Sequence, residues 1–96
     1  GDEKPGRLGL ALRPLTRDER KQAEVEHGLV IEDVGGPAAR AGIRPGDVLL
    51  SVNGKSVDSL EQVRGSLKSQ SRTAALLILR DGNRIFVPVN LGANQG

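Results

Sequence analysis

The stretch that decides the fold is "GPAARAGIRPGDVLLSVNG", Gly36 to Gly54. Pro37 suits the first position of a helix, where its missing N–H costs nothing, and the alanines fill the turn. Gly42 can take the left-handed conformation that ends such a helix, with Ile43 folding back onto it. "RPGD" then turns through Gly46 and Asp47 into the apolar "VLLSV". Asn53-Gly54 is a strong tight-turn signal. A short helix, a strand and a hairpin turn in so few residues point to a small α+β domain.

Outward from this segment the pattern continues. Upstream, "LVIEDV" (Leu29 to Val34) reads as a strand closed by Gly35-Gly36-Pro37. Thr16 is a plausible N-cap with Glu19 as its capping-box partner, which opens a helix over Arg17 to Glu26 with Gly28 as its stop. His27, in the last turn of that span, suits the helix C-terminus. Leu8, Leu10 and Leu12 alternate as a first strand. Downstream, Asp58 or Ser59 caps a helix running to about Ser69, on which Leu60, Val63, Arg64 and Leu67 share a face. "TAALLILR" is apolar on both faces and belongs inside the sheet. Asp81-Gly82 turns the chain, and Ile85, Val87, Val89 and Leu91 alternate inward on a last strand that Pro88 confines to an edge or a bulge. The fold class is therefore α+β: five or six short, mostly antiparallel strands, one full helix and one or two short ones. Residues 1–5 and 92–96 read as linker and tail around one domain over residues 6–91.

Composition excludes several classes. The chain has 96 residues, 36% of them hydrophobic and 27% charged, with a net charge of +2. Its core must come from Leu, Val and Ile, because Phe86 is the only aromatic residue. The longest apolar run, Ala74 to Leu79, is far short of the roughly 20 residues a membrane helix needs. Acidic residues are interleaved with the basic ones, and nucleic-acid binding would call for a one-signed patch or stacking aromatics. With no cysteine, disulfides, thiol catalysis and cysteine metal sites are excluded. His27 is the only histidine, so a histidine metal cluster is excluded too. None of the serines lies in a nucleophile-elbow pattern. The acids at 18, 19, 24 and 26 read as solvated helix face. The chain by itself is expected to have no catalytic residues, cofactor or metal, and no nucleic-acid or membrane-inserted partner.

One stretch is left over. "PGRLGLALRPL" (Pro5 to Leu15) sets Gly9 between two leucines where a strand is forming, and glycine weakens a strand. A turn there can aim several backbone N–H groups at one point, a nest that attracts a carboxylate. An open strand edge beyond it can take up an extended peptide. With the later helix as the opposite wall, Leu8, Leu10, Leu12 and Leu67 would line a pocket for the final side chain, and Arg64 would face an earlier one. The residues alone equally allow, more economically, a strand-start glycine beside ordinary core leucines.

"GLVIEDVGGPAARAGIRPGDVLLSVNGKSVDSLEQVRGSLKS" resembles the PDZ domain of the Do/DegP/HtrA-type serine proteases, and the similarity spans roughly Pro5 to Leu91. The chain is most similar to the second, C-terminal PDZ of such proteins. The resemblance implies a circularly permuted, PDZ-like fold, a partly open barrel or sandwich capped by the helices. It also implies a carboxylate-binding loop at Arg7, Leu8, Gly9 and Leu10, and a peptide-pairing strand at Leu10, Ala11, Leu12 and Arg13. The groove helix would carry Leu60, Arg64 and Leu67. Gly42, Gly46, Asp47, Asn53 and Gly54 would be structural turn residues. Many members open the loop with a bulky aromatic, where this chain has Arg7. The function implied is that of a non-catalytic module in a periplasmic, bacterial quality-control serine protease, which captures hydrophobic C-termini or extended segments of misfolded proteins by strand addition. The alternative is an assembly domain with a vestigial groove, docking on adjacent protease or PDZ domains of the parent oligomer.

Overall fold

Two apolar runs, Leu29–Val34 and Thr73–Arg80, are long enough and apolar enough to build a sheet around the short Val48–Val52 strand. The computed structural model describes residues 8–67 and 72–91. In chain order it has β1 (Leu10–Pro14), α1 (Arg17–Ala23), β2 (Leu29–Val34), α2 (Gly36–Arg40), β3 (Val48–Val52), β4 (Lys55–Ser56), α3 (Leu60–Ser66), β5 (Thr73–Arg80) and β6 (Asn83–Asn90). The sheet runs β1-β2-β3-β5-β6, with β4 added to β3, and every pairing is antiparallel. The α+β expectation holds. β5 lies inside the sheet, and β6 is an edge whose Pro88 stands opposite Ala75, as a residue without an N–H requires.

One face of the sheet carries the core. Leu29, Ile31, Leu49, Val52, Leu76, Ile78 and Val89 are fully buried, each worth about 1.5–3 kcal/mol relative to exposure. Val87 and Leu91 join them from β6 and its end, with Ile85 packed at the margin. Ala38 and Ile43 enter from α2. Gly42 follows α2 at φ +95°. Its N–H donates to Ala39 O at 3.1 Å, while Ile43 N–H donates to Ala38 O at 3.1 Å. This is the paired bonding of a Schellman end, and it folds Ile43 down beside Ala38.

Asp47 fixes the next turn. It is 4% exposed, and a buried carboxylate must be compensated. Arg80 does so with two bonds, Nε to Oδ1 at 2.9 Å and Nη2 to Oδ2 at 2.6 Å. The Arg44 N–H adds a third at 3.0 Å. Burial pushes the Asp47 pKa up, but the Arg80 and Arg44 bonds outweigh it and hold the carboxyl below its ordinary value. Arg80 Nη2 also reaches Gly42 O at 3.0 Å, so one guanidinium ties the end of β5 to the end of α2.

Two helices end earlier than the sequence suggests. α1 stops at Ala23 rather than Glu26, with Glu24 in the left-handed region at φ 60°. Val25 N–H then donates to Arg20 O at 3.1 Å, and Val25 is half-buried while its neighbours Glu24 and Glu26 are exposed. Gly28 is therefore no helix stop. Its ideal Cβ would lie 3.0 Å from Val48 Cγ1 and 3.2 Å from Leu49 O, so glycine is needed there for close approach to β3. His27, outside the helix, does not serve its C-terminus. It lines a surface depression with Val25, Leu77 and Phe86. α3 ends at Ser66, with Leu67 already extended at φ −97° and ψ 120°; Lys68 and Ser69, where the span was expected to finish, lie outside the described residues.

The capping box at α1 forms as expected. Thr16 Oγ1 accepts from Glu19 N–H at 3.1 Å, and Glu19 Oε1 accepts from Thr16 N–H at 2.8 Å. Arg13 clamps the same carboxylate through both terminal nitrogens, each at 2.8 Å. The Arg13 bond, chiefly, and the Thr16 N–H hold the Glu19 pKa down to about 2, from 4.5. A lowered carboxylate pKa stabilises the fold fully above the unfolded value, and the contribution disappears as pH falls toward the folded one. The stability difference between the wild type and Glu19→Gln, from denaturant melts, should hold from pH 7 to about 5 and shrink between pH 4.5 and 2. A difference that grows on acidification would contradict the linkage.

Candidate functional site

β1 is the other edge of the sheet: among the described residues only β2 pairs with it. How its polar groups are aimed follows from the corner where β2 passes into α2. Gly35 N–H donates to Gly9 O at 2.7 Å, and Ala38 N–H donates to Leu8 O at 2.9 Å. In a trans peptide the N–H points opposite to the C=O of the same plane. The N–H groups of Gly9 and Leu10 share planes with those two carbonyls, so both point away from the corner. No acceptor among the described residues takes the Gly9 N–H.

The same logic runs along the strand. Leu10 stands opposite Val34, and the Gly35-to-Gly9 bond marks this as a non-hydrogen-bonded pair. The N–H and C=O of Leu10 therefore face the open side. Two residues on, a bulge shifts the register, and Leu12 stands opposite Ile31. Ile31 spends its N–H on Asp47 O and its C=O on Gly46 N–H, each at 2.8 Å. The Leu12 polar groups consequently face outward too. The series ends at Pro14, which has no N–H to offer. β1 thus presents the outward N–H groups of Gly9, Leu10 and Leu12 beside the outward carbonyls of Leu10 and Leu12.

Gly9 makes this geometry possible. It sits at φ +84°, and an ideal Cβ on it would lie 2.0 Å from Gly35 O. Any side chain would push the loop off the corner that aims it.

The expected pocket residues divide. Leu8 and Leu10 are buried core, a floor under the edge and no free pocket wall. Leu12 and Leu67 are half-buried and pack on the rim of that same core, to which α3 contributes Val63. Leu60 is half-exposed and Arg64 exposed, so Arg64 does not share the buried stripe of Val63 and Leu67. Ala11 pairs with Asp33. Arg13 turns its guanidinium to Glu19 and, through Nε at 3.1 Å, to Glu32. Arg7, the expected opening residue of the loop, lies outside the described residues.

Gly46 and Asp47 form the turn that receives Ile31, and Gly42 ends α2. Asn53 does more than turn the chain with Gly54. Its Nδ2 donates to Ser66 O at 3.0 Å, at the last residue of α3, and its Oδ1 accepts from Ala75 N–H at 2.9 Å. One side chain pins the end of α3 to β5. Gly35 and Ala38 are positioning residues that the sequence pattern did not assign to the site, and Asn53 was expected there only as a turn residue. The Gly35-Gly36-Pro37 breaker marked the corner, but its bonding to Leu8 and Gly9 is long-range.

The architecture is that of a small antiparallel module with one strand edge open among the described residues. A family model described as "PDZ domain" matches residues 30–81, and the chain belongs to the PDZ domain family. Among curated relatives, a "Probable periplasmic serine endoprotease DegP-like" of Halomonas elongata is 38% identical over 96 residues, covering 95% of this chain and 20% of its own length. One of the same description from Pseudomonas putida (strain W619) is 35% identical over 88 residues, covering 88% and 18%. The chain thus spans about a fifth of the relatives it matches. Among solved structures, "HtrA-type protease AlgW with decapeptide" superposes with a TM-score of 0.70 at 24% identity, over 86% of this chain and 27% of that one. "Crystal Structure of the HtrA3 PDZ Domain Bound to a Phage-Derived Ligand (FGRWV)" does so at 0.73 and 21%, over 86% and 81%. These two likenesses concern the fold.

Gly9→Ala tests the interlock. A clash with backbone at a left-handed position should cost about 3 kcal/mol or more of stability in denaturant melts. A cost under about 1 kcal/mol would mean the loop is not seated on Gly35.

Proposed function

We propose that this domain captures the hydrophobic C-termini or extended segments of misfolded proteins by adding them as a strand to the open edge of β1. The observation that carries the reading is the outward set of N–H groups at Gly9, Leu10 and Leu12. An incoming chain pairs with Leu10 and Leu12 and ends where the Gly9 and Leu10 N–H groups converge, a suitable position for a terminal carboxylate. Its last side chain rests against Leu12 and Leu67, above the floor of Leu8 and Leu10. Arg7 would open this loop, and Arg64, on the exposed side of α3, would meet a residue further upstream. The domain contributes recognition and no chemistry. Descent from the same family as the DegP-like endoproteases supports a parent that is a periplasmic serine endopeptidase, with this module presenting substrate to a protease domain elsewhere in it.

Magnitudes favour weak, exchangeable capture. Burying about 150–200 Å² of apolar side chain at roughly 25 cal/mol/Å² gives about 4–5 kcal/mol. Strand hydrogen bonds add about 1 kcal/mol each before ordering costs are subtracted. The dissociation constant should fall on the order of 10 μM to 1 mM. An NMR titration with a short Leu- or Val-ended peptide should give a free-carboxylate form that binds at least tenfold tighter than its C-terminal amide. Equal affinities would remove the carboxylate role of the Gly9 loop, and no binding of either form would remove peptide capture altogether.

A further inference from the structure

The sheet face opposite the core is thinly covered. α1 lies over it, yet none of its residues is buried, and between helix and sheet is an open cleft of about 670 Å³ lined by Leu15, Val30, Val48 and Leu79. Glu24 and Asp81 stand at its rim, and no lining residue is cationic. The carboxylate of Glu19, also at this cleft, is already held by Arg13. The cleft therefore suits an apolar side chain that comes with a positive charge.

The same face carries such a group. Phe86 is 70% exposed, the one large hydrophobic in that state among the described residues. Arg84 precedes it by two positions and so projects from the same side of β6. Across the ladder Phe86 stands opposite Leu77 and Arg84 opposite Leu79, while Ala74, Leu76 and Ile78 alternate with them into the core. Arg84 has no ion-pair partner among the described residues.

We propose that this face pairs with a second copy of the domain, Phe86 of each entering the cleft under α1 of the other and Arg84 meeting Glu24 and Asp81 at its rim. Knob and socket lie on one face, so a single two-fold axis seats both at once, and the contact closes at a dimer. Each copy contributes one aromatic knob and one arginine, so the dissociation constant should be on the order of 0.1–1 mM for the free domain. In a parent oligomer that holds several copies together, the raised effective concentration would fill it. The open edge of β1 lies at the other margin of the sheet and takes no part, so this inference does not depend on peptide capture.

Sedimentation equilibrium of the 96-residue chain from about 10 μM to 1 mM tests it, with ¹⁵N chemical shifts over the same range. The average mass should rise toward the dimer, with shifts at Leu79, Asp81 and Phe86. Phe86→Glu should weaken association at least tenfold and Arg84→Glu several-fold, both keeping the wild-type melting temperature within a few degrees, because both side chains lie on the exposed surface. A chain that stays monomeric at 1 mM would overturn the proposal. So would undiminished association of a folded Phe86→Glu, or shifts confined to β1 and α3.

Discussion

Everything at the site depends on two main-chain bonds, Gly35 N–H to Gly9 O and Ala38 N–H to Leu8 O. They fix the planes of two successive peptides at the entrance to β1, and fixing a carbonyl on one side of a trans peptide fixes its N–H on the other. The corner between β2 and α2 thus aims donors that it never touches. Its own position is set by the helix end at Gly42 and by the paired Asp47 and Arg80, which bind the chain between α2 and β3 to the far end of β5. The path from the PGD turn to the open edge of β1 runs through backbone bonds and the Asp47–Arg80 pair, groups that would be costly to leave unmade in a buried setting.

α3, the proposed opposite wall, is held by separate means. α3 is seven residues long, too short to be stable alone, and its capping at Ser59 is local. Val63 anchors its middle in the core, while Asn53 holds its last carbonyl and the Ala75 N–H together. On the reading proposed above, the open edge of β1 and the pinned helix bound a groove floored by Leu8 and Leu10, which belong to the core. Such a site resists opening locally without loss of the domain's packing. The opposite sheet face is built in another way, under a charged helix none of whose residues is fully buried.

How much of this the sequence reveals depends on the range of each interaction. The α2 end was legible because Pro37, Gly42 and Ile43 act within one turn, and the capping box was legible because Thr16 and Glu19 are three residues apart. Pro88 narrowed its strand to an edge or a bulge, and β6 is an edge. The early stop of α1 was not legible: Glu24 adopts a left-handed conformation that glycine usually takes, and the nearby Gly28 looks like the stop although its real task is close approach to β3. Leu8 and Leu10 could not be sorted from Leu12, since strand alternation is the same for a core floor and a pocket wall. Asn53 advertised a turn and hid its reach to Ser66. The aim of the Gly9 and Leu10 N–H groups required the three-dimensional corner.

Amide hydrogen exchange resolved by residue tests the central claim most directly. In the free domain the N–H groups of Gly9, Leu10 and Leu12 should exchange rapidly while those of Ala11 and Gly35 are protected, and saturation with a Leu-ended peptide should slow the first three. Protection of Gly9, Leu10 and Leu12 in the free domain, equal to that of Ala11, would mean that the edge is already occupied and would contradict the account.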